Sequence, residues 1–337
     1  MTYAQIWQSL EASASSLADG YIRRRVKPQS VCGIFLAVTK PSNQHILQIR
    51  LTEVSATITA NLPSARGLDV VIIRSENEQT GFTIQLALRE QRFDTVFDAL
   101  IRDVIEVVAH APSEPAALAA FISRLQHWQK FLELVGPDGL SREAQQGLYG
   151  ELWFLRERLI PLVGLYPALL AWVGPGGAHQ DFLLQSCAIE VKTTGMKEPQ
   201  QLIIQSERQL DDTGLAALFL LHLSIDAREN IGESLIIMIN SLRQLLTADS
   251  AAIELFEDRL LEAGFLQSQS SQYESTQYNV RHTFLYRVKD AFPRIVEADL
   301  KPGVGAVRYS IAAAECRHYA VTDDILKSQL AGLNHGE

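Results

Sequence analysis

Apolar residues recur at helical spacing over positions 4–18, where Ile6, Leu10 and Leu17 share one stripe. From Val31 the rhythm changes to short β-branched or alternating runs at 31–39, 45–52, 56–62, 68–74 and 81–88. Turn residues such as Lys40-Pro41-Ser42-Asn43 separate them, which predicts an antiparallel sheet of about five strands. The basic run Arg23-Arg24-Arg25 with Lys27 reads as a solvated loop, and His45 as a surface or strand-end histidine. Helical periodicity returns at 93–108 and again at 116–135, where Trp128 joins Phe121, Leu125 and Leu132 as core. Pro112-Ser113-Glu114-Pro115 between these two helices reads as a domain boundary.

Ser141 is placed to cap a third long helix that runs to about Ile160 and stops at Pro161. With 100° per residue, Leu152, Leu155 and Leu159 fall within roughly 40° of Leu148. Glu151 lies about 60° off the centre of that stripe, while Glu143 and Glu157 face away. Glu151 therefore borders the buried face, a position also filled by ordinary boundary acids paired with Arg or Lys. A buried apolar segment follows at 165–173, then a tight turn at Gly174-Pro175-Gly176-Gly177. Strands are expected at 201–205 and 215–225 and a helix at 234–246, an α/β arrangement. Beyond Asp249 the pattern gives a helix at 250–263, a loop at 267–272 and strands at 278–288, 304–312 and 318–321. The expected division is a β-rich domain at 1–111, a core domain at 112–248 and a small α+β domain at 249–337.

One stretch carries chemistry. Gln180-Asp181-Phe182 is followed, after a short gap, by Glu190-Val191-Lys192-Thr193-Thr194 inside an apolar run. On a strand, Glu190 and Lys192 project to one face and Ile189 and Val191 to the other. An acid and an amine on a buried face are costly unless something pairs them. A divalent ion and a phosphodiester would do so. Mg²⁺ prefers carboxylate oxygens and water, so Asp181 and Glu190 could hold it, helped by the Val191 carbonyl. Lys192 could orient a water and offset phosphate charge, and Glu151 could add a metal-bound water or a second ion. The bland alternative is an Asp181–Lys192 ion pair in a structural sheet.

Composition narrows the partners. The 337 residues are 47% hydrophobic and 20% charged, which are globular values. A net charge of −9 argues against a generally basic nucleic-acid binder, though not against an enzyme with a local basic groove. Cys32, Cys187 and Cys316 lie far apart, which suggests neither a zinc site nor a disulfide framework and fits a reducing cytoplasm. The start of the chain lacks signal-peptide character, and no apolar run suits a bilayer span, so a soluble intracellular protein is expected. GxGxxG, Walker A, GxSxG and HExxH patterns are absent.

The residues Gly147-Leu-Tyr-Gly-Glu151-Leu-Trp-Phe-Leu, Trp172-Val-Gly-Pro175, Gln180-Asp181-Phe182, Glu190-Val-Lys192-Thr-Thr and Ser206-Glu-Arg-Gln-Leu210 together resemble the PD-(D/E)XK nuclease superfamily. More narrowly, the chain is similar to the bacterial PD-(D/E)XK motif proteins once catalogued as a domain of unknown function. The likeness is tightest over 140–225, and Gln180 stands where the motif's name has Pro. It implies a restriction-endonuclease-like αβββαβ core and Mg²⁺- or Mn²⁺-dependent cleavage of DNA. It also implies Asp181, Glu190 and Lys192 as the catalytic set, Glu151 as the first-helix acid, and Gln205 and Arg208 as substrate contacts. The setting it implies is a restriction-like defence system against phage, with ATPase, Z1-type and methyltransferase partners; a homodimer is compatible with it. A nuclease-fold adaptor with little activity of its own is the competing expectation.

Overall fold

The computed structural model describes residues 3–15, 18–52, 68–74, 81–89, 94–134, 139–195, 198–229 and 231–333. The chain forms two compact units, 1–138 and 139–337.

The first unit opens with helix α1 (Tyr3–Ala14). Five strands follow: β1 (Gly20–Val26), β2 (Gly33–Lys40), β3 (His45–Leu51), β4 (Leu68–Arg74) and β5 (Phe82–Leu88). They form one antiparallel sheet in the order β1-β2-β3-β5-β4. The arginine run is thus not a loop but the edge strand β1, paired with β2 from Gly20↔Lys40 to Val26↔Ile34. An edge strand hides little surface, so charge does not forbid it. The expected strand at 56–62 lies outside the described residues. Ile34, Leu36, Leu47, Ile49, Ile84 and Leu86 share the buried face of the sheet.

Helices α2 (Asp94–Ala109) and α3 (Glu114–Leu134) complete this unit. Trp128 is buried, and its indole N–H donates to Asp103 of α2 at 2.7 Å. The expected boundary at 112 does not divide the chain. Ser113 accepts at the start of α3 and Pro115 sits in its first turn, so Pro112–Pro115 begins a helix rather than a linker.

The second unit begins with α4 (Arg142–Phe154), capped by Ser141, whose Oγ accepts from the Ala144 N–H at 3.2 Å. The helix does not stop at Pro161. It widens into a π turn at Leu155–Leu159 and continues as α5 (Ile160–Val163). The wider turn shifts hydrogen bonding to i→i−5, as Ile160 N–H to Leu155 C=O shows, and eases the proline past the preceding turn. Residues 165–171 form helix α6 (Leu165–Ala171) rather than a uniformly buried run, since Tyr166 and Leu170 are exposed.

Next come β6 (Phe182–Leu184), β7 (Cys187–Thr194), β8 (Gln201–Ile204), β9 (Ala217–Glu229) and β10 (Glu233–Ser234). Then follow α7 (Leu235–Leu246), α8 (Ser250–Glu262), β11 (Thr276–Val288), β12 (Tyr309–Ala312) and α9 (Asp323–Leu333). The central sheet has the order β10-β11-β9-β7-β6, with β7 and β9 parallel and the other pairs antiparallel. The architecture is α/β, as expected, with four departures. The expected strand 201–205 leaves the central sheet and pairs with β12. Residues 267–273 form a 3-10 helix, and the expected strand at 318–321 reduces to a single bridge, Tyr286↔Ala320. Finally, 249–337 is no separate domain, because β11 pairs along the length of β9.

The two faces of β7 are covered differently. Val191 and Thr193 face α4, where Gly150 lets the helix approach: a Cβ there would stand 1.8 Å from Thr193 Oγ1. Ala188 lies on the other face, in a core with Leu218, Leu220, Tyr286, Leu202, Ile204 and Ile311. Glu190 and Lys192 share that second face by alternation. Among the described residues, no helix is long and apolar enough to cross a membrane.

Candidate active site

The short strand β6 leaves part of the β7 edge open. Phe182 pairs with Ile189, and the ladder stops there. Asp181, one residue earlier, places its Oδ2 2.7 Å from the Val191 N–H and accepts from it. A carboxylate thus satisfies a strand-edge donor that a longer β6 would have taken. Asp181 is itself held from behind: its carbonyl accepts from both the Val173 and Gly174 N–H groups, each at 2.9 Å. Gly174 is needed there, because a Cβ would come within 2.9 Å of Asp181 Oδ1 and 3.0 Å of its Cα.

Glu190 is 1% exposed, and its Oε1 lies 2.7 Å from Lys192 Nζ. Beyond that ion pair, neither Glu190 oxygen finds a donor among the described residues. Lys192 also donates to Gln209 Oε1 at 3.0 Å. Gln209 Oε1 accepts in turn from the Gln205 backbone N–H at 2.7 Å. Glu151 arrives from α4 on the opposite face of the sheet, and its Oε2 accepts from the Trp172 indole N–H at 2.7 Å.

The four groups act on one another's charge. Burial and then the Asp181 charge hold the Glu151 carboxyl well above the usual carboxylate range, and Glu190 and Lys192 also act on it. Burial raises Asp181 against the opposing pull of Lys192. Burial and then Asp181 push Glu190 up to about 8. Burial would lower Lys192, but the Glu190 and Asp181 carboxylates outweigh it and raise the amine, which stays an ammonium.

Asp181, Glu190 and Lys192 are therefore brought together with the Val191 backbone, and Glu151 is near enough to feel their charges. The side chains of the two expected substrate contacts are not brought in. Gln205 enters through its backbone only, and the Arg208 guanidinium turns to Glu297 at 3.5 Å. Two participants, Gln209 and Trp172, lie in segments that carry the resemblance but had no role assigned from the sequence. Gln180 acquires a role as well: its amide donates to the carbonyls of Arg208 at 2.9 Å and Gln209 at 3.4 Å, pinning the turn that carries Gln209.

Three buried carboxylates, with Asp181 raising the other two and Glu190 short of donors, form a donor set suited to a hard divalent cation. Among the described residues, no three acidic, histidine or cysteine side chains already form a group able to share one ion. Asp181 is turned to the Val191 amide, Glu190 to Lys192 and Glu151 to Trp172. A family model described as "Putative PD-(D/E)XK family member, (DUF4420)" matches residues 3–314. No curated protein and no solved structure matches the chain.

Proposed function

On the premise that the chain belongs to this family of PD-(D/E)XK members, we propose that it is a Mg²⁺- or Mn²⁺-dependent endonuclease that hydrolyses DNA. It would serve as a subunit of a restriction-like defence system. The observation that carries the reading is the buried Glu190–Lys192 ion pair at 2.7 Å, next to the Val191 N–H on which the Asp181 carboxylate sits. Asp181 and Glu190 would hold the ion with the Val191 carbonyl, and Glu151 would reach it through a water. The ion, when bound, supplies positive charge for the phosphate and lowers the pKa of a water.

The chain's own residues do the rest. Lys192 keeps its proton at neutral pH and offers N–H donors to a phosphate oxygen where charge develops. Gln209 limits the directions that ammonium can take. Glu190 must lose the proton that burial lets it keep before it can act as an anionic ligand. Trp172 holds Glu151 at the open strand edge.

The test is incubation of the purified protein with plasmid DNA and Mg²⁺ or Mn²⁺, beside Lys192→Ala. Metal-dependent nicking or linearisation that the variant lacks supports the reading. Absence of cutting, alone and with the products of neighbouring genes, would favour the adaptor. One observation already favours that second reading: each of the three carboxylates is engaged by a neighbour, and among the described residues no three share a site.

A further inference from the structure

The antiparallel sheet of the first unit has a second face that the candidate active site does not use. The strand register places Tyr21, Arg23 and Arg25 of β1 on it, beside Phe35 of β2 and Gln48 and Arg50 of β3. Gln85 of β5 and Val71 of β4 continue the Arg25–Phe35–Gln48 row. Tyr21 is 49% exposed, and Arg23 and Arg25 are exposed. The Arg23 guanidinium lies over the Phe35 ring, 4.5 Å from its centroid, and 5.8 Å from that of Tyr21. It also donates to Gln48 Oε1 at 3.3 Å, so the group is held flat on the sheet. Arg25 donates to the Pro28 carbonyl at 3.5 Å. Among the described residues, neither Arg23 nor Arg25 pairs with a carboxylate.

We infer that this face binds single-stranded nucleic acid. The inference deepens the reading above and rests on it for the choice of a nucleic acid as ligand. Three properties support it. Arg23 and Arg25, two residues apart on the strand, leave the backbone about 6.8 Å from each other, a repeat that suits successive phosphates of an extended strand. A guanidinium plane stacked on an aromatic ring, next to an exposed tyrosine, gives bases of any identity a surface to stack on. The chain as a whole carries a charge of −9, so Arg23 and Arg25, which pair with no carboxylate among the described residues, are a local feature that attracts a polyanion. Arg24 points to the other face of the same strand and serves as the internal control.

The experiment uses the full-length protein in EDTA, with a fluorescein-labelled single-stranded DNA oligonucleotide followed by anisotropy over a range of salt. Arg23→Ala with Arg25→Ala should weaken binding at low salt. It should also flatten the plot of log affinity against log salt by about 1.4, two phosphate contacts at roughly 0.7 each. Tyr21→Ala should weaken binding about fivefold or more with the slope kept, because stacking releases no counterions. Arg24→Ala should leave both unchanged, and circular dichroism melts check that each variant folds. Unchanged affinity and slope in the double variant, no binding by the parent protein, or tighter binding of the same sequence as a duplex would each overturn the inference. Binding in EDTA is read without cleavage, so loss of cutting in Lys192→Ala concerns the catalytic reading alone and the two can fail separately.

Discussion

The Trp172 indole donates its N–H to Glu151 Oε2 at 2.7 Å, joining a helix-borne acid to the residue that opens the turn before Asp181. Trp172 is fully buried and packs beside Phe256, so it sets where the Glu151 carboxylate can lie. Trp172→Phe keeps most of the packing and removes the donor. The hydrogen bond favours the charged carboxyl, so its loss should raise Glu151 further. A double-mutant cycle with Glu151→Ala, which removes the acceptor, read by urea denaturation, should give a coupling of about 1 kcal/mol. Strict additivity would show that the contact contributes nothing.

Gly150 faces Thr193 so closely that a methyl group has nowhere to go. Gly150→Ala should destabilise the second unit by about 1–3 kcal/mol, the usual cost of overpacking, although alanine is the better helix former. Adding Thr193→Ala should recover part of the loss, because it removes the Oγ1 that the new Cβ meets at 1.8 Å. Urea midpoints of the three variants decide this. A Gly150→Ala protein as stable as the parent would mean that α4 and β7 are less closely packed than described.

Glu190 gives stability a pH dependence of defined sign. Its carboxyl sits at about 8 in the folded chain, against an ordinary 4.5. Between those values the folded protein keeps a proton that the unfolded chain has lost. Stability should therefore fall as pH rises through that window and level off above it. Glu190→Gln should flatten the fall in thermal midpoint measured in EDTA. Asp181 and Glu151, also raised by burial, should keep part of it. An equal slope in variant and parent would place the proton elsewhere. Mg²⁺ or Mn²⁺ should stabilise the parent more at pH 8 than at pH 6, because a ligating carboxylate must first lose that proton.

Gln209 accepts from both Lys192 and the Gln205 backbone, so it ties the ammonium to a turn rather than to a side chain alone. Gln209→Ala should lower kcat by up to about a hundredfold with KM little changed, as expected when a charged group is misaimed rather than removed. Lys192→Ala should be more severe. An unchanged kcat in Gln209→Ala would reduce the contact to a structural one.

The central strand motif was legible in the sequence because alternation is local. Glu190 and Lys192 fall on one face and Val191 on the other, whatever else the chain does. Ser141 as a cap and Trp128 as core were legible for the same reason, since each depends on neighbours within a few turns. The errors share the opposite character. Arg23-Arg24-Arg25 looks like a loop until β2 is known to lie beside it and to leave one side open. Pro161 looks like a stop until the π turn before it makes room. The boundary at 112 fails because α3 packs back on α2 through Asp103, and β8 leaves the sheet because β12 reaches it from about a hundred residues away.

The sequence by itself determined the strand, its alternation, the candidate acids and amine, and the helix that brings Glu151 to the border of a buried face. Those follow from backbone periodicity and short-range sterics. Only the tertiary structure decided that β6 ends at Phe182, that Asp181 takes the exposed Val191 N–H, and that Trp172 and Gln209 aim Glu151 and Lys192. Hydrogen bonds across 10 to 21 positions depend on where separate elements come to rest, and no local spacing encodes that.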